Sequence, residues 1–161
     1  MTIRVAILTI SDRSARGERP DASGPVLVEM IEKAEWSVMD TRIIPDEQAV
    51  IQQVLIEWCA RGDIDVVLTT GGTGFAPRDV TPEATLAVIQ RAAPGLAEAM
   101  RLESLKITPH AMLSRAVAGI RDHTLIVNLP GSPKAAAENL QTILPVLPHA
   151  VALLHDNPTF H

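Results

Sequence analysis

VVLTTGGTGFAPRDVTP, residues 66–82, passes from strand to glycine turn to helix start without interruption. The β-branched pair Val66 and Val67 leads into Thr69 and Thr70. Gly71, Gly72 and Gly74 follow, then an arginine–aspartate pair, Arg78 and Asp79. Thr81-Pro82 is a helix-start signal, a threonine N-cap with proline at the first helical position. This order predicts a βα unit whose bare backbone N–H groups can approach an anion, most often a phosphate. The turn is neither a Walker motif, since no Lys-Ser/Thr follows the last glycine, nor G-x-G-x-x-G. Its plainer alternative is a tight βα connection that needs positive φ. The stretch therefore predicts a nucleotide or phosphate-ester site.

The rest of the chain repeats the alternation. Ile3–Ile10 is almost continuously apolar, as in a strand buried on both faces. Ser11–Ala22 is polar and reads as a loop. A helix is predicted from Ser23-Gly24-Pro25, with Leu27, Met30, Ile31 and Ala34 on one face. Val38–Ile44 is a second strand. A helix after Asp46 aligns Val50, Ile51, Val54, Leu55 and Trp58, and Ile64–Thr70 is the third strand. Pro82–Ala92 is predicted helical with Leu86, Ile89 and Ala93 aligned, Pro94–Lys106 helical, and Met112–Val117 extended. Thr124–Leu129 is a buried strand. Pro133–Leu144 is a helix capped by Ser132, and Pro145 and Pro148 interrupt it before a last helical piece ending at Leu154. The expected fold is α/β: a single domain over residues 1–161, three layers α/β/α, with a mostly parallel central sheet. Ligands of such sheets sit beyond the carboxyl ends of the strands.

Composition narrows the function. Hydrophobic residues make up 47% and charged residues 20%, as in a compact domain. The formal net charge of −5 argues against nucleic-acid binding. No apolar run is long enough to span a bilayer, and the N-terminus reads as a core strand without a signal-peptide cleavage site. One cysteine, Cys59, excludes an internal disulfide and suits a reducing cytoplasm. It is expected to be a buried small hydrophobe. His110, His123, His149, His155 and His161 show no metal-ligand spacing, so no structural metal is expected.

Four loops are predicted to meet at the carboxyl ends of the strands. They are Ser11-Asp12-Arg13, Pro45-Asp46-Glu47, Thr69–Asp79, and Asn128–Lys134. Asp46 stands where an N-cap belongs, so capping and chemistry both explain it. Asp79 precedes the Thr81 cap by two residues and is not needed for capping. A carboxylate beside a phosphate cradle is repulsive unless Mg²⁺ or a proton intervenes. Asp12 reads either as a loop-closing residue or as part of the site. Lys134, in the first turn of a helix, opposes the macrodipole; an anionic ligand would relieve that, and a solvated surface position is the alternative. Ser132 is first a cap, with a hydroxyl that can also face a ligand.

Taken together, the loops resemble the molybdopterin adenylyltransferase family, comprising the MogA-like enzymes and the G domains of gephyrin-like proteins. The matching segments are ISDR (10–13), IPDE (44–47), LTTGGTGFAPRDVTPEAT (68–85), SLKITPHAMLSR (104–115), AGIR (118–121) and NLPGSPKA (128–135). The match runs from about residue 3 to residue 155. The resemblance implies that the terminal phosphate of molybdopterin attacks the α-phosphorus of Mg-ATP, giving adenylylated molybdopterin and pyrophosphate. The product passes to a molybdate-inserting partner protein. It further implies a trimer, with Asp46 and Asp79 as the aspartates required for activity and candidate Mg²⁺ ligands. Ser11, Asp12, Thr70, Gly71, Gly72, Thr73, Gly74, Pro130, Gly131, Ser132 and Lys134 would bind the substrates.

The chain ends short of a helical tail carried by some bacterial relatives. Other proteins sharing this sheet tend to read GDE in the first loop, where this chain has Ser11-Asp12-Arg13, which favours the adenylyltransferase branch. Two rival readings are a non-catalytic molybdopterin-binding or scaffold module and a nucleotide phosphohydrolase.

Overall fold

The structure, a computed structural model, describes residues 2–156. The predicted single domain and His161 therefore extend beyond the described residues. The elements in order are β1 (Arg4–Ile10), α1 (Asp12–Ala15), α2 (Ser23–Lys33), β2 (Ser37–Ile44), α3 (Gln48–Ala60), β3 (Val66–Thr70), α4 (Thr81–Val88) and β4 (Arg91–Ala92). Then follow α5 (Pro94–Leu105), a 3₁₀ turn (Pro109–Leu113), β5 (Ala118–Arg121), β6 (Thr124–Leu129), α6 (Pro133–Ile143), a second 3₁₀ turn (Leu144–Val146) and α7 (Leu147–Leu154).

One six-stranded sheet has the order β2-β1-β3-β6-β5-β4. The β2-β1-β3-β6 pairings are parallel, and β6-β5 and β5-β4 are antiparallel. Alternation along the strands divides the core into two. Val5, Ile7, Val66 and Leu68 face α2, α5, α6 and α7. Ala6, Leu8, Ile10 and Val67 face α3 and α4. Because both sheet faces are covered, β1, β3 and β6 can be nearly continuous in apolar residues.

Four segments differ from the sequence reading. The helix predicted over Pro82–Ala92 ends at Val88, because Gln90 N–H donates to the Ile120 carbonyl (2.8 Å) and Ala93 N–H to that of Ala118 (2.9 Å). Tertiary strand pairing wins over helical continuation there. Leu86, expected inside, is 54% exposed, while Ala84, Thr85 and Val88 are buried. Ala118–Arg121 is a strand that the sequence does not announce, since Ala118 and Gly119 give no alternating signal. An added Cβ at Gly119 would run into Ile89 and the Arg91 carbonyl. Met112–Val117, expected extended, begins in the 3₁₀ turn. Asp12–Ala15, expected as loop, forms one helical turn capped by Ser11, whose hydroxyl accepts from Ser14 N–H (3.2 Å).

Candidate active site

β1, β2, β3 and β6 run in the same direction, so their four following loops meet at one end of the sheet. They border a cavity of about 650 Å³. Its wall includes Ser11, Asp46, Thr70, Gly71, Gly72, Asp79, Gly131 and Ser132. Thr73, Gly74 and Pro130 instead line a smaller space of about 270 Å³, with Ser104, Ser114 and Asn139. Asp12 sits behind the main wall. Lys134 lies outside both cavities; its side chain is 83% exposed, 3.8 Å from Glu138.

The glycine turn has the form an anion needs. Gly71 and Gly72 have φ of 101° and 69°, which side chains rarely tolerate. A Cβ at Gly71 would strike the Ile10 carbonyl, and one at Gly72 the Thr81 hydroxyl and Asp46. The turn's carbonyls are all engaged. The Gly71 carbonyl accepts from the Thr81 hydroxyl (2.9 Å), that of Gly72 from Thr81 N–H (3.1 Å), and that of Thr73 from Arg115 N–H (2.8 Å). The Gly74 carbonyl accepts from Arg115 Nε (2.8 Å). On the donor side, Gly71 N–H goes to Leu129 (3.2 Å), while those of Gly72, Thr73 and Gly74 have no partner among the described residues. With its acceptors occupied and its donors free, the turn presents positive potential.

Thr81 thus departs from its expected role. Val80 is the cap residue of α4, and Thr81 ties the helix to the turn instead. Asp46 likewise is not the cap of α3; Glu47 holds that position and makes no side-chain cap bond. Asp46 Oδ2 accepts from Asp12 N–H (2.8 Å), and Asp12 Oδ1 accepts from Asp46 N–H (3.0 Å). Arg78 closes this bracket with two bonds to the Asp12 carboxylate, at 2.9 and 3.0 Å. Asp79 Oδ2 accepts from Ala76 N–H (3.0 Å). Ser132 caps α6 as expected, accepting from Ala135 N–H (3.2 Å).

The charges are unequal. Arg78 holds Asp12 below the usual carboxylate range. Burial pushes Asp46 up, and the charges of Asp12 and Asp79 add to the shift. A cation arriving between Asp46 and Asp79 would relieve that cost. Both carboxylates border the same cavity, and they are oxygen donors of the kind Mg²⁺ takes, one or two at a time, together with substrate phosphates and waters. No group of three or more His, Cys, Asp or Glu able to hold a metal ion occurs among the described residues. Cys59 is buried, and its thiol is pushed up to about 11 by desolvation.

Two supporting groups are not evident from local sequence. Arg115 gathers the turn, donating also from Nη2 to the Asp79 carbonyl (2.7 Å) and from Nη1 to Glu83 (2.6 Å). Asn128, fully buried in β6, donates to the hydroxyls of Thr69 (3.0 Å) and Thr85 (2.9 Å). Thr70 donates to the Pro130 carbonyl (2.7 Å), joining the third loop to the fourth. The signal for Arg115 was its place in SLKITPHAMLSR, which spacing alone does not connect to a turn so distant in the chain.

The family described as "Probable molybdopterin binding domain" matches residues 6–149. This chain belongs to that family. The chain is 46% identical over a 164-residue alignment to gephyrin of Dictyostelium discoideum, covering 96% of this chain and 23% of gephyrin. It is 43% identical to the molybdopterin adenylyltransferase of Helicobacter pylori strain J99, covering 97% of this chain and 90% of that protein. Its fold is similar to the solved molybdopterin biosynthesis enzyme MoaB of Thermus thermophilus, with a TM-score of 0.91 and 51% identity over 98% of this chain and 99% of that one. The chain thus spans under a third of gephyrin and almost all of the bacterial enzyme.

Proposed function

We propose that this chain is a molybdopterin adenylyltransferase of molybdenum cofactor biosynthesis, transferring AMP from Mg-ATP to the terminal phosphate of molybdopterin. An oxygen of that phosphate bonds to the α-phosphorus of ATP while the bond to the β-phosphate oxygen breaks, and pyrophosphate leaves. The observation that carries this reading is the cavity bordered together by the glycine turn, with its free Gly72 N–H, and by the carboxylates of Asp46 and Asp79. Two anionic reactants repel, so the protein must screen them and align them. The Gly72 N–H offers a fixed donor to phosphate oxygens in this cavity, those of Thr73 and Gly74 belong to residues lining the smaller space, and the pinned loops limit reorganisation. Mg²⁺, entering with ATP, would be held by Asp46 and Asp79 and would neutralise charge on the leaving pyrophosphate. Ser11, Thr70, Gly71, Gly131 and Ser132 border the same space and would position the substrates, with Asp12 holding Asp46 from behind.

The reading extends to a single domain over residues 1–161, a homotrimer, a cytoplasmic setting and a molybdate-inserting partner that receives the product. No helix among the described residues is long and apolar enough to cross a membrane. The test is pyrophosphate release from ATP and Mg²⁺ with and without molybdopterin. Release only with molybdopterin, together with an AMP-bearing pterin, is the expected result. Binding without release would indicate a scaffold or carrier, and release without molybdopterin a phosphohydrolase.

A further inference from the structure

The main cavity is bordered by three carboxylates, Asp21, Asp46 and Asp79, and by one basic side chain among the described residues, Arg19. Of the other cations near this end of the sheet, Arg13 is exposed and does not border the cavity, and three more are occupied or displaced. Arg16 is paired with Glu18 (2.8 Å), Arg78 with Asp12 (2.9 Å), and Lys134 stands outside the cavity. Arg19 makes no ion pair among the described residues. Its contact is a long bond from Nη2 to the Ser11 hydroxyl (3.5 Å), an oxygen that already accepts from Ser14 N–H. Most of the five guanidinium donors are therefore unused by the protein.

The backbone around Arg19 is nonetheless held. Pro20 follows it and restricts its conformation. Asp21 then anchors the loop, accepting from the Thr9 hydroxyl (2.8 Å), Gly24 N–H (3.1 Å) and the Ser23 hydroxyl (3.4 Å). A pinned loop thus carries a guanidinium with a free fork at the edge of a cavity whose glycine turn offers donors. A planar fork matches two oxygens of a phosphate.

We propose that Arg19 is a phosphate-recognition residue of this cavity, supplying the positive side chain that Lys134 does not. The proposal rests on the adenylyltransferase reading and deepens it. Its ligand chemistry is a phosphate group, from either the polyphosphate of ATP or the terminal phosphate of molybdopterin.

Calorimetric titration of the native chain, Arg19→Ala and Arg19→Lys with inorganic tripolyphosphate, ATP, adenosine and molybdopterin tests it. Arg19 is exposed, so Arg19→Ala is expected to melt with the native chain, which thermal denaturation checks. Tripolyphosphate and ATP binding about tenfold weaker in Arg19→Ala, with adenosine unchanged and Arg19→Lys only partly restored, supports recognition of the polyphosphate. A loss confined to molybdopterin supports recognition of its phosphate. Unchanged affinity of Arg19→Ala for all three phosphate-bearing ligands overturns the proposal, as does a native chain that binds none of them. Arg19-dependent tripolyphosphate binding without molybdopterin-dependent pyrophosphate release would refute the enzymatic reading alone.

Discussion

Replacing Arg115 by alanine should unfasten the glycine turn from α4. The guanidinium donates to the carbonyls of Gly74 (2.8 Å) and Asp79 (2.7 Å) and pairs with Glu83 (2.6 Å). Each carbonyl bond from a charged donor contributes about 1.5 kcal/mol, the low end for such bonds because water can partly replace them. The ion pair is about one-third exposed at each end, with side-chain exposures of 35% and 41%, and adds less than about 1 kcal/mol. The sum is about 3 kcal/mol, or a melting temperature lower by about 6–12 °C for a chain of this size. Arg115→Lys should recover under half, since one ammonium cannot reach three diverging acceptors. Thermal denaturation followed by circular dichroism reads the stability, and ATP titration reads the turn. A variant melting within about 2 °C of the native chain and binding ATP normally would show that the turn is held by other contacts.

Asp79→Asn should retain the loop, because an amide oxygen can still accept from Ala76 N–H. Its turnover should fall by about 10²–10³-fold with molybdopterin binding little changed; unchanged turnover would remove Asp79 from the chemistry. Gly72→Ala should lose about 1–3 kcal/mol of stability and most ATP affinity, because its φ is 69° and a Cβ meets Thr81 and Asp46; native melting and binding would refute this. A fourth prediction concerns the far end of the sheet. Burial alone would raise the Asp65 carboxyl, but bonds from the Arg4 side chain and N–H and from His155 outweigh it and hold it below the usual range. A depressed folded value means that this stability is present above the unfolded value of about 3.9 and is lost as pH falls through the folded one. The acid-side decline in melting temperature should therefore be shallower in Asp65→Asn, and identical slopes would contradict the assignment.

The resemblance of the loop motifs pointed to the family that the whole-chain similarity establishes. The residue roles within the cavity rest on geometry that local patterns did not contain. Thr81 looked like a cap because threonine before proline usually is one, yet its hydroxyl reaches back to Gly71. Lys134 looked like a counter-charge because it opens a helix, yet it stands outside the cavity wall.

By itself the sequence determined the parallel part of the sheet, because continuous apolar runs at β1, β3 and β6 can be satisfied only by burial on both faces. It also determined where the glycine turn lies, because three glycines after a strand have few other uses. Only the tertiary structure decided the antiparallel edge, where Gly119 and its neighbours carry no periodic signal and backbone pairing ended a helix. It alone decided the bracket of Asp12, Asp46 and Arg78 and the reach of Arg115 into the turn. Those contacts join residues from different loops, and a side-chain bond across such separations depends on how the strands are ordered rather than on the residues nearby.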